Sequence, residues 1–320
     1  MEKMWCMLIH LGTNLWYEEG NTRGGYDKVW KSPASNTLRF DRDVFYRYLD
    51  ELRASGVNTI VLDVAEGLRY ESHPELAVNG SYTHAEMREM LEYMHTLGFS
   101  VIPKLNFSTC HDIWLGEYSR MVSTPKYYEV CRDLITEVCH LFDAKYMHLG
   151  MDEENYPNQR YYDFAVVRQN DLWWHDLYFL IDCVEACGAR AMMWSDYARH
   201  RPDEFLAKIP RSVVQCNWYY FSRYADDYTT LDEEALIRVR PFHLFAEAGI
   251  DQLPTASTEY DLKALAYMAD YLASHIDNSR ILGFMQTTWS ETTAGQTEFL
   301  MESAKATGEG KIAYENAIKG

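Results

Sequence analysis

The chain has 320 residues, and its 48 acidic against 30 basic side chains give a formal net charge of −18 at pH 7. Hydrophobic residues make up 47% of the sequence, so a large folded core is expected and a disordered or fibrous protein is excluded. The acidic balance disfavours a nucleic-acid partner, and the absence of any run of about 18 apolar residues disfavours a membrane span. The 9 Trp and 24 Tyr residues are more than an ordinary soluble core requires.

The N-terminal segment from Met1 to His10 lacks the long apolar run and the cleavage site of a secretory signal peptide. The seven cysteines are an odd number, and most of them stand inside apolar runs. They are therefore predicted to be buried free thiols of a cytoplasmic protein. A signal peptide trimmed from the natural chain would overturn this expectation.

The chain repeats one pattern, in which an amphipathic helix ends at a glycine and a short apolar strand follows. In chain order, the first helix ends at Gly56, and the second begins with the capping box Thr83-x-x-Glu86. Further helices are predicted over residues 172–183 and 262–272. Eight strands are expected at Trp5–His10, Thr59–Val64, Ser100–Leu105, Lys145–Gly150, Arg190–Trp194, Val213–Asn217, Pro241–Phe245 and Ile281–Gln286.

Helices that alternate with buried strands predict a parallel sheet. The helix-to-strand connections are short, whereas the strand-to-helix connections are long and rich in aromatic residues. This asymmetry is typical of an α/β protein built as a (β/α)8 TIM barrel, in which function gathers in the long loops at the C-terminal face. A doubly wound open sheet is the alternative, but no glycine-rich phosphate turn follows any strand, and no cofactor is expected. We predict one catalytic barrel domain over residues 1–320.

Two adjacent carboxylates, Asp152 and Glu153, follow the fourth predicted strand. Carboxylates held close together push one of their pKa values upward, which suits a general acid beside a carboxylate that stays ionised. The alternative is that both residues cap the next helix, where acidic side chains are favoured. This segment alone gives the two interpretations equal weight.

Tryptophans at three other predicted strand ends favour a carbohydrate site. The fifth strand ends Trp194-Ser195-Asp196, the sixth is followed by Trp218, and the eighth by Trp289. The C–H face of a sugar stacks on indole, while carboxylates bind its hydroxyls. The alternative is that each indole packs between its own strand and the next helix. This alternative is weaker when three tryptophans occupy equivalent positions at three strand ends. We therefore expect a neutral carbohydrate or glycoconjugate as the partner, with no nucleic acid and no membrane.

The segment His148-x-Gly150-x-Asp152-Glu153 resembles the His-x-Gly-Gly-Asp-Glu signature of the family 20 glycoside hydrolases, the β-N-acetylhexosaminidases. The resemblance spans most of the predicted barrel. The eighth strand resembles that family's final pocket motif, and the third-strand segment ends in His111, as it does in the family. Residues that match the family's sugar-binding positions, or that stand at neighbouring strand ends, are Trp194, Asp196, Trp218, Tyr219, Glu247, Trp289 and Glu291.

The resemblance implies removal of a terminal β-linked N-acetylhexosamine by retaining, substrate-assisted catalysis. Glu153 would protonate the glycosidic oxygen and then activate water. Asp152 would orient the 2-acetamido group, whose carbonyl oxygen attacks the anomeric carbon to give an oxazoline. Glu291 would bind ring hydroxyls, and Trp289 would floor the pocket. The residues expected to support the catalytic pair are His111 and His148.

The sequence departs from the family pattern at two strand ends. The family usually has an arginine near the end of strand one that grips the terminal sugar, and here Arg23 in the following loop is the nearest candidate. The family's seventh-strand Tyr-x-Asp is replaced by Phe245-x-Glu247, so the tyrosine hydroxyl is missing. Either Tyr219 or Tyr220 replaces this hydroxyl, or the substrate lacks the expected acetamido geometry.

Three other functions are left open. In a retaining glycosidase of different sugar specificity, Glu153 would be the acid/base and Glu247 the nucleophile. A non-catalytic sugar-binding barrel would keep the tryptophans without needing Glu153. A metal hydrolase is disfavoured, because the first strand lacks the His-x-His of metal-dependent barrels, and no metal is expected. Its ligands would be drawn from His10, His111, His148, Asp196 and His243. The tyrosine-rich loops also leave open a homo-oligomer.

Overall fold

The protein is built around eight parallel strands, in a computed structural model that describes residues 2–21, 32–160 and 162–319. These strands are β1 (Met4–His10), β2 (Thr59–Asp63), β3 (Ser100–Lys104), β4 (Tyr146–His148), β5 (Arg190–Trp194), β6 (Val214–Cys216), β7 (Thr255–Ser257) and β8 (Gly283–Thr287). The order along the sheet is β6-β5-β4-β3-β2-β1-β8-β7. Backbone hydrogen bonds also join its two ends, since Thr255 N donates to Asn217 O at 2.9 Å. The sheet is thus a nearly closed barrel, which confirms the predicted (β/α)8 fold.

Helices connect the strands and cover the outside of the barrel. Within the described residues they are α1 (Arg42–Ala54), α2 (His84–Thr96), α3 (Pro125–Phe142), α4 (Tyr156–Gln159), α5 (Asp171–Ala186), α6 (Asp196–His200), α7 (Pro202–Lys208), α8 (Glu233–Glu247), α9 (Ala264–His275) and α10 (Thr297–Ala317). The predicted capping box starts α2, where the side chain of Thr83 accepts from the backbone of Glu86 and the Glu86 side chain accepts from the N–H of Thr83. The helix α1 is followed by Gly56 at φ +81°, as its sequence predicts. The helices predicted over 172–183 and 262–272 correspond to α5 and α9.

The seventh strand is the element that the sequence prediction placed wrongly. Residues 241–245, predicted as a strand, lie inside α8, and the strand that follows is β7, further along the chain. Asp232 caps α8 by accepting from the N–H of Ala235, and the apolar run forms a buried helical face that includes Val239 and Phe242. A short buried apolar run does not by itself distinguish a helix from a strand. The true strand has the sequence Thr-Ala-Ser, which carries no apolar signal.

Charged side chains occupy the interior of the barrel below its C-terminal ends. Lys104 on β3 and Asp63 on β2 form a fully buried ion pair, and Nδ1 of His10 lies 3.2 Å from Oδ2 of Asp63. Burial alone would raise the pKa of Asp63, but Lys104 and His10 outweigh burial and lower it. A buried charge is tolerated when it is paired in this way. The pairs tie β1, β2 and β3 together directly beneath the strand ends.

All seven cysteines are free thiols, and six of them are buried, as predicted. Burial raises the pKa of the Cys183 thiol to about 11, so this thiol is protonated at neutral pH. No helix in the described part of the chain is both long enough and apolar enough to cross a membrane.

Candidate active site

The backbone after β4 turns sharply and gathers the two predicted catalytic carboxylates. Gly150, Met151 and Glu153 have φ values of +74°, +71° and +57°, in the left-handed region. A Cβ on Gly150 would lie 1.9 Å from Oδ1 of Asn106, so only glycine fits there. At the other two residues this backbone costs about 1–3 kcal/mol each, a kind of strain that clusters at functional sites.

The imidazole of His111 lies between the carboxylates of Asp152 and Glu153. Its Nδ1 is 3.2 Å from Oδ1 of Asp152, and its Nε2 is 3.5 Å from Oε2 of Glu153. Asn106 donates to the same oxygen of Asp152 at 3.1 Å. Asp152 is buried, whereas 38% of the Glu153 side chain is exposed. One imidazole thus contacts a buried carboxylate and an accessible one.

The contacts fix the charges of Asp152 and His111. Burial alone would raise the pKa of Asp152, but the charge of His111 and the hydrogen bond from Asn106 outweigh burial and lower it to about 2. Burial alone would lower the pKa of His111, but the charge and hydrogen bond of Asp152 raise it to about 10. At neutral pH Asp152 is therefore ionised and His111 is protonated.

Asp196, which follows β5, supports this group from a neighbouring strand end. Its Oδ2 accepts from the backbone N–H of Glu153 at 3.0 Å, and its Oδ1 accepts from Nε1 of Trp218 at 2.6 Å. Burial raises the pKa of Asp196 to about 6, although the nearby Arg199 opposes the rise. The predicted residue Asp196 thus holds the backbone of Glu153 and the indole of Trp218, rather than lining the space between these two residues.

Both carboxylates line a space of about 290 Å³ that we call the aromatic cavity. Its aromatic lining consists of Trp16, Trp218, Tyr220, Phe221, Tyr260 and Trp289, and its polar lining of Asn106, His111, Asp152, Glu153, Glu234, Arg238 and Glu259. Nε1 of Trp289 donates to the hydroxyl oxygen of Tyr220 at 3.1 Å, and the Tyr220 ring stacks on Trp218 at 4.9 Å. The hydroxyl proton of Tyr220 is then available to an acceptor in the cavity.

Two predicted wall residues lie outside the aromatic cavity. Trp194 is 1% exposed and packs beneath the floor, 4.4 Å from the ring of His148 and 6.0 Å from that of Trp289. Tyr219 is also buried, and its hydroxyl donates to the carbonyl of Arg223. Alternation along the segment after β6 points successive side chains in opposite directions, so Tyr220 faces the cavity instead. Trp16 supplies the wall that was expected from Trp194. Trp16 lies in the loop after β1, and Trp218 lies in the loop after β6.

An arginine that the sequence interpretation missed partners Glu291. Nε of Arg39 lies 2.8 Å from Oε1 of Glu291, and its Nη2 donates to Thr13 at 3.0 Å. Burial raises the pKa of Glu291, and Arg39 opposes this rise. Arg39 ends the long loop after β1, so its position after a strand end was the signal available. The earlier candidate, Arg23, lies outside the described residues.

The structure contradicts the placement of Glu247 and His243 at a strand end. Both lie on α8, Glu247 is its exposed last residue, and His243 stacks on Tyr228 at 4.0 Å. The carboxylate that follows β7 and reaches the cavity is that of Glu259. Because its strand was misplaced, Glu259 was missed.

His148 lies in the barrel interior under the cavity. It is fully buried, its Nδ1 accepts from the N–H of Gly150 at 3.0 Å, and burial together with Lys104 lowers its pKa to about 3. It is therefore a neutral imidazole that helps to set the turn after β4. Across the described residues, no group of three or more His, Cys, Asp or Glu side chains is arranged to hold a metal ion.

Comparison with known families gives one match that covers most of the site. Residues 115–302 match the model described as glycosyl hydrolase family 20, catalytic domain. The matched range includes the turn after β4 and the ends of the four strands that follow it. Among curated proteins, the lacto-N-biosidase of Bifidobacterium bifidum is 21% identical over 147 residues, which are 41% of this chain and 13% of that protein.

Solved structures share the fold at low sequence identity. An exo-β-N-acetylglucosaminidase from Vibrio harveyi, in complex with N-acetylglucosamine, has a TM-score of 0.61 and 13% identity, over 99% of this chain and 58% of its own. A β-N-acetylhexosaminidase from Bacteroides fragilis has a TM-score of 0.62 and 15% identity, over 96% of this chain and 65% of its own. The chain thus spans less than two thirds of each of these relatives.

Proposed function

Because the chain belongs to glycosyl hydrolase family 20, we propose that it is a glycoside hydrolase that removes a terminal β-linked N-acetylhexosamine by retaining, substrate-assisted catalysis. The observation that carries this proposal is the imidazolium of His111 between ionised Asp152 and accessible Glu153, at the edge of the aromatic cavity. Retaining enzymes of this type need one carboxyl group that exchanges protons and one that stays charged.

In the first step Glu153 donates its proton to the glycosidic oxygen, while the 2-acetamido oxygen of the substrate attacks the anomeric carbon. The bond to the leaving group breaks, and an oxazolinium ion forms that keeps the acetamido N–H. The N–H of the acetamido group gains positive character in this step, and the charge of Asp152 stabilises it. In the second step Glu153 takes a proton from water, which opens the oxazoline with overall retention.

The walls of the aromatic cavity suit the rest of that sugar. The hydroxyl of Tyr220 donates to the acetamido oxygen and so holds it for attack. The absence of a seventh-strand tyrosine was inferred from Phe245, which lies in α8, whereas Tyr260 follows β7 and also lines the cavity. Trp16 and Trp289 offer indole surface to the apolar face of the ring. Glu259 accepts from ring hydroxyls, whereas Glu291, which the sequence assigned to those hydroxyls, pairs with Arg39 outside the lining of the aromatic cavity. A space of about 290 Å³ fits one terminal sugar.

Hydrolysis of two nitrophenyl β-glycosides tests the proposal, one with and one without the 2-acetamido group. We expect turnover of the acetamido substrate alone, and inhibition by a thiazoline analogue of the oxazoline. Equal kcat/KM values for both substrates would contradict substrate assistance. If the protein hydrolyses neither substrate but still binds the sugar, it is a non-catalytic sugar-binding barrel.

A second candidate rests on Glu259, which lines the same cavity from the end of β7. In a conventional retaining glycosidase this carboxylate would attack the anomeric carbon directly, with Glu153 as acid/base. A 2-fluoro glycoside separates the two mechanisms. Covalent labelling of Glu259, together with insensitivity to the thiazoline, would favour direct attack, whereas inhibition without labelling supports substrate assistance.

A further inference from the structure

Glu153 also lines a second space of about 400 Å³, which we call the arginine cavity. Four arginines line it, namely Arg168, Arg199, Arg201 and Arg238. It shares Glu153, Trp218 and Arg238 with the aromatic cavity. A group that accepts the proton of Glu153 and leaves the first cavity can therefore enter the second.

The four arginines differ in how closely carboxylates contact them. Arg168 is fully paired, with nitrogen–oxygen distances of 2.7 Å to Glu154 and 2.9 Å to Asp176. The other three have longer contacts, of 4.0 Å from Arg199 to Asp196, 3.6 Å from Arg201 to Glu204, and 3.6 Å from Arg238 to Glu234. In a chain of net charge −18, three loosely paired guanidinium groups around one cavity stand out.

Arg199 is the most constrained of the three. It is 6% exposed, its guanidinium lies 3.6 Å from the centre of the Trp218 ring, and its Nη2 donates to the carbonyl of Trp218 at 2.7 Å. Its Nε is buried and has no hydrogen-bond partner among the described residues. Burial lowers the pKa of Arg199, the charge of Asp196 opposes this and offsets the guanidinium in part, and the charge of Arg238 lowers the pKa further. Holding two like charges near each other is costly unless an anion offsets them.

We propose that the arginine cavity binds an anionic group, a carboxylate or a sulfate ester, on the leaving-group side of the substrate. Arg199, Arg201 and Arg238 are its ligands, since guanidinium groups bind such oxyanions through paired N–H donors. This inference rests on the proposed function for the direction of the leaving group. The binding of the anion itself does not depend on hydrolysis.

Three disaccharides that differ in their leaving group test the proposal through their kcat/KM values. Each carries a terminal β-linked N-acetylglucosamine, and the second sugar is glucose, glucuronic acid or glucose 6-sulfate. We expect kcat/KM to be about tenfold or more higher for an anionic leaving group than for glucose, a preference that falls as salt is raised. The glucuronate and sulfate arms show which oxyanion the cavity prefers. Equal kcat/KM values for all three substrates would overturn the proposal.

Substitution of two arginines shows whether the cavity causes the preference. In the double variant Arg201→Gln/Arg238→Gln, we expect the ratio of kcat/KM for the anionic over the neutral substrate to fall toward one, because two of the three proposed ligands are removed. Arg199 is left intact because it holds Trp218. The control is Arg88→Gln, which changes the net charge at an exposed position of α2 and should keep the ratio. If the double variant has the same ratio of kcat/KM values as the wild type, the proposal is overturned.

Calorimetric titration with free glucuronate and glucose 6-sulfate separates this inference from the proposed function. Binding that is lost in the double variant, in a protein without hydrolytic activity, would support the anion site and refute the hydrolase. Hydrolysis of the neutral disaccharide, with neither anion preference nor anion binding, would support the hydrolase and refute the anion site. Both titrations use the intact chain, and thermal unfolding of each variant checks that it is folded.

Discussion

The two cavities that share Glu153 are built from different parts of the barrel. The aromatic cavity is formed mostly by residues of the loops that follow strands, together with Glu234 and Arg238 on α8, and hydrogen bonds of Asp196 fix Glu153 and Trp218 in place. The arginine cavity takes its loosely paired charges from α6, α8 and the residue after α6. The difference teaches that the strand ends hold the residues proposed for the chemistry, while the helices around them supply charges that can select the leaving group.

Replacement of the residue common to both cavities should have the largest effect. In Glu153→Gln the side chain keeps its shape but has no proton to donate, so we expect kcat/KM for an N-acetylglucosaminyl disaccharide to fall about 10²–10⁴-fold. A nitrophenyl leaving group needs less protonation, so its loss should be smaller. The matched control is Glu247→Gln, at the exposed end of α8, which should retain full activity. A disaccharide rate that survives Glu153→Gln would refute the assignment of the general acid.

The buried carboxylate of the aromatic cavity should come next. In Asp152→Asn the charge proposed to stabilise the developing oxazolinium ion is lost, and we expect kcat to fall about 10²–10³-fold. The same charge raises the pKa of His111 to about 10, so the imidazole pKa measured by NMR should drop toward its ordinary value. A reduced rate with an unchanged His111 pKa would show that Asp152 is not ionised beside the imidazole.

The sequence predicted the residues that directly follow a correctly placed strand. Asp152, Trp218 and Trp289 line the cavity because β4, β6 and β8 were recognised within a few residues. The prediction for Glu247 was wrong because the apolar run of α8 has the length and burial of a strand, while β7 consists of small residues paired on both sides. Side-chain alternation then decides which residue after a strand faces inward. The sequence alone did not show where β6 ends, so it did not reveal that Tyr220 rather than Tyr219 faces the cavity.

Contacts between distant loops could not be read from the sequence. Arg39 and Glu291 are far apart in the chain, and only closure of the barrel brings β1 beside β8. Similarly, His111 meets both carboxylates because the third and fourth strands are neighbours. The family signature located the proposed catalytic pair, but the charge state of Asp152 follows from the imidazole that the fold places next to it, which outweighs the effect of burial.

A smaller effect is expected for the hydroxyl of Tyr220. In Tyr220→Phe the hydroxyl that would hold the acetamido oxygen is removed, together with the acceptor for Nε1 of Trp289. The loss of a neutral hydrogen bond of about 1.4 kcal/mol corresponds to about tenfold in kcat/KM. The neighbouring variant Tyr219→Phe is the matched control, because that hydroxyl donates to the carbonyl of Arg223 and lies outside the cavity. If both variants lose activity equally, the acetamido oxygen is held by another group.

The smallest effect should come from Asp196, and it should depend on pH. The pKa of Asp196 is raised to about 6, so it is ionised above that pH and accepts firmly from Trp218 and from the N–H of Glu153. Protonation below pH 6 weakens both hydrogen bonds, and we expect kcat/KM to fall about two- to fivefold on the acid side. In Asp196→Asn this acid limb should disappear, with a rate that stays low at all pH values.

The stability of the protein should change with pH in the opposite direction at this residue. A carboxyl group whose pKa is higher in the folded than in the unfolded chain binds a proton on folding between about pH 4 and 6. The free energy of unfolding therefore gains a contribution from Asp196 as the pH falls through 6, and loses it again as the pH rises. Denaturant unfolding of the wild type and of Asp196→Asn, compared at pH 4.5 and pH 7.5, isolates this contribution. If activity declines in acid while the wild type gains stability relative to Asp196→Asn at pH 4.5, the decline comes from the loosened site rather than from unfolding. A stability difference that is the same at both pH values would show that Asp196 keeps an ordinary pKa.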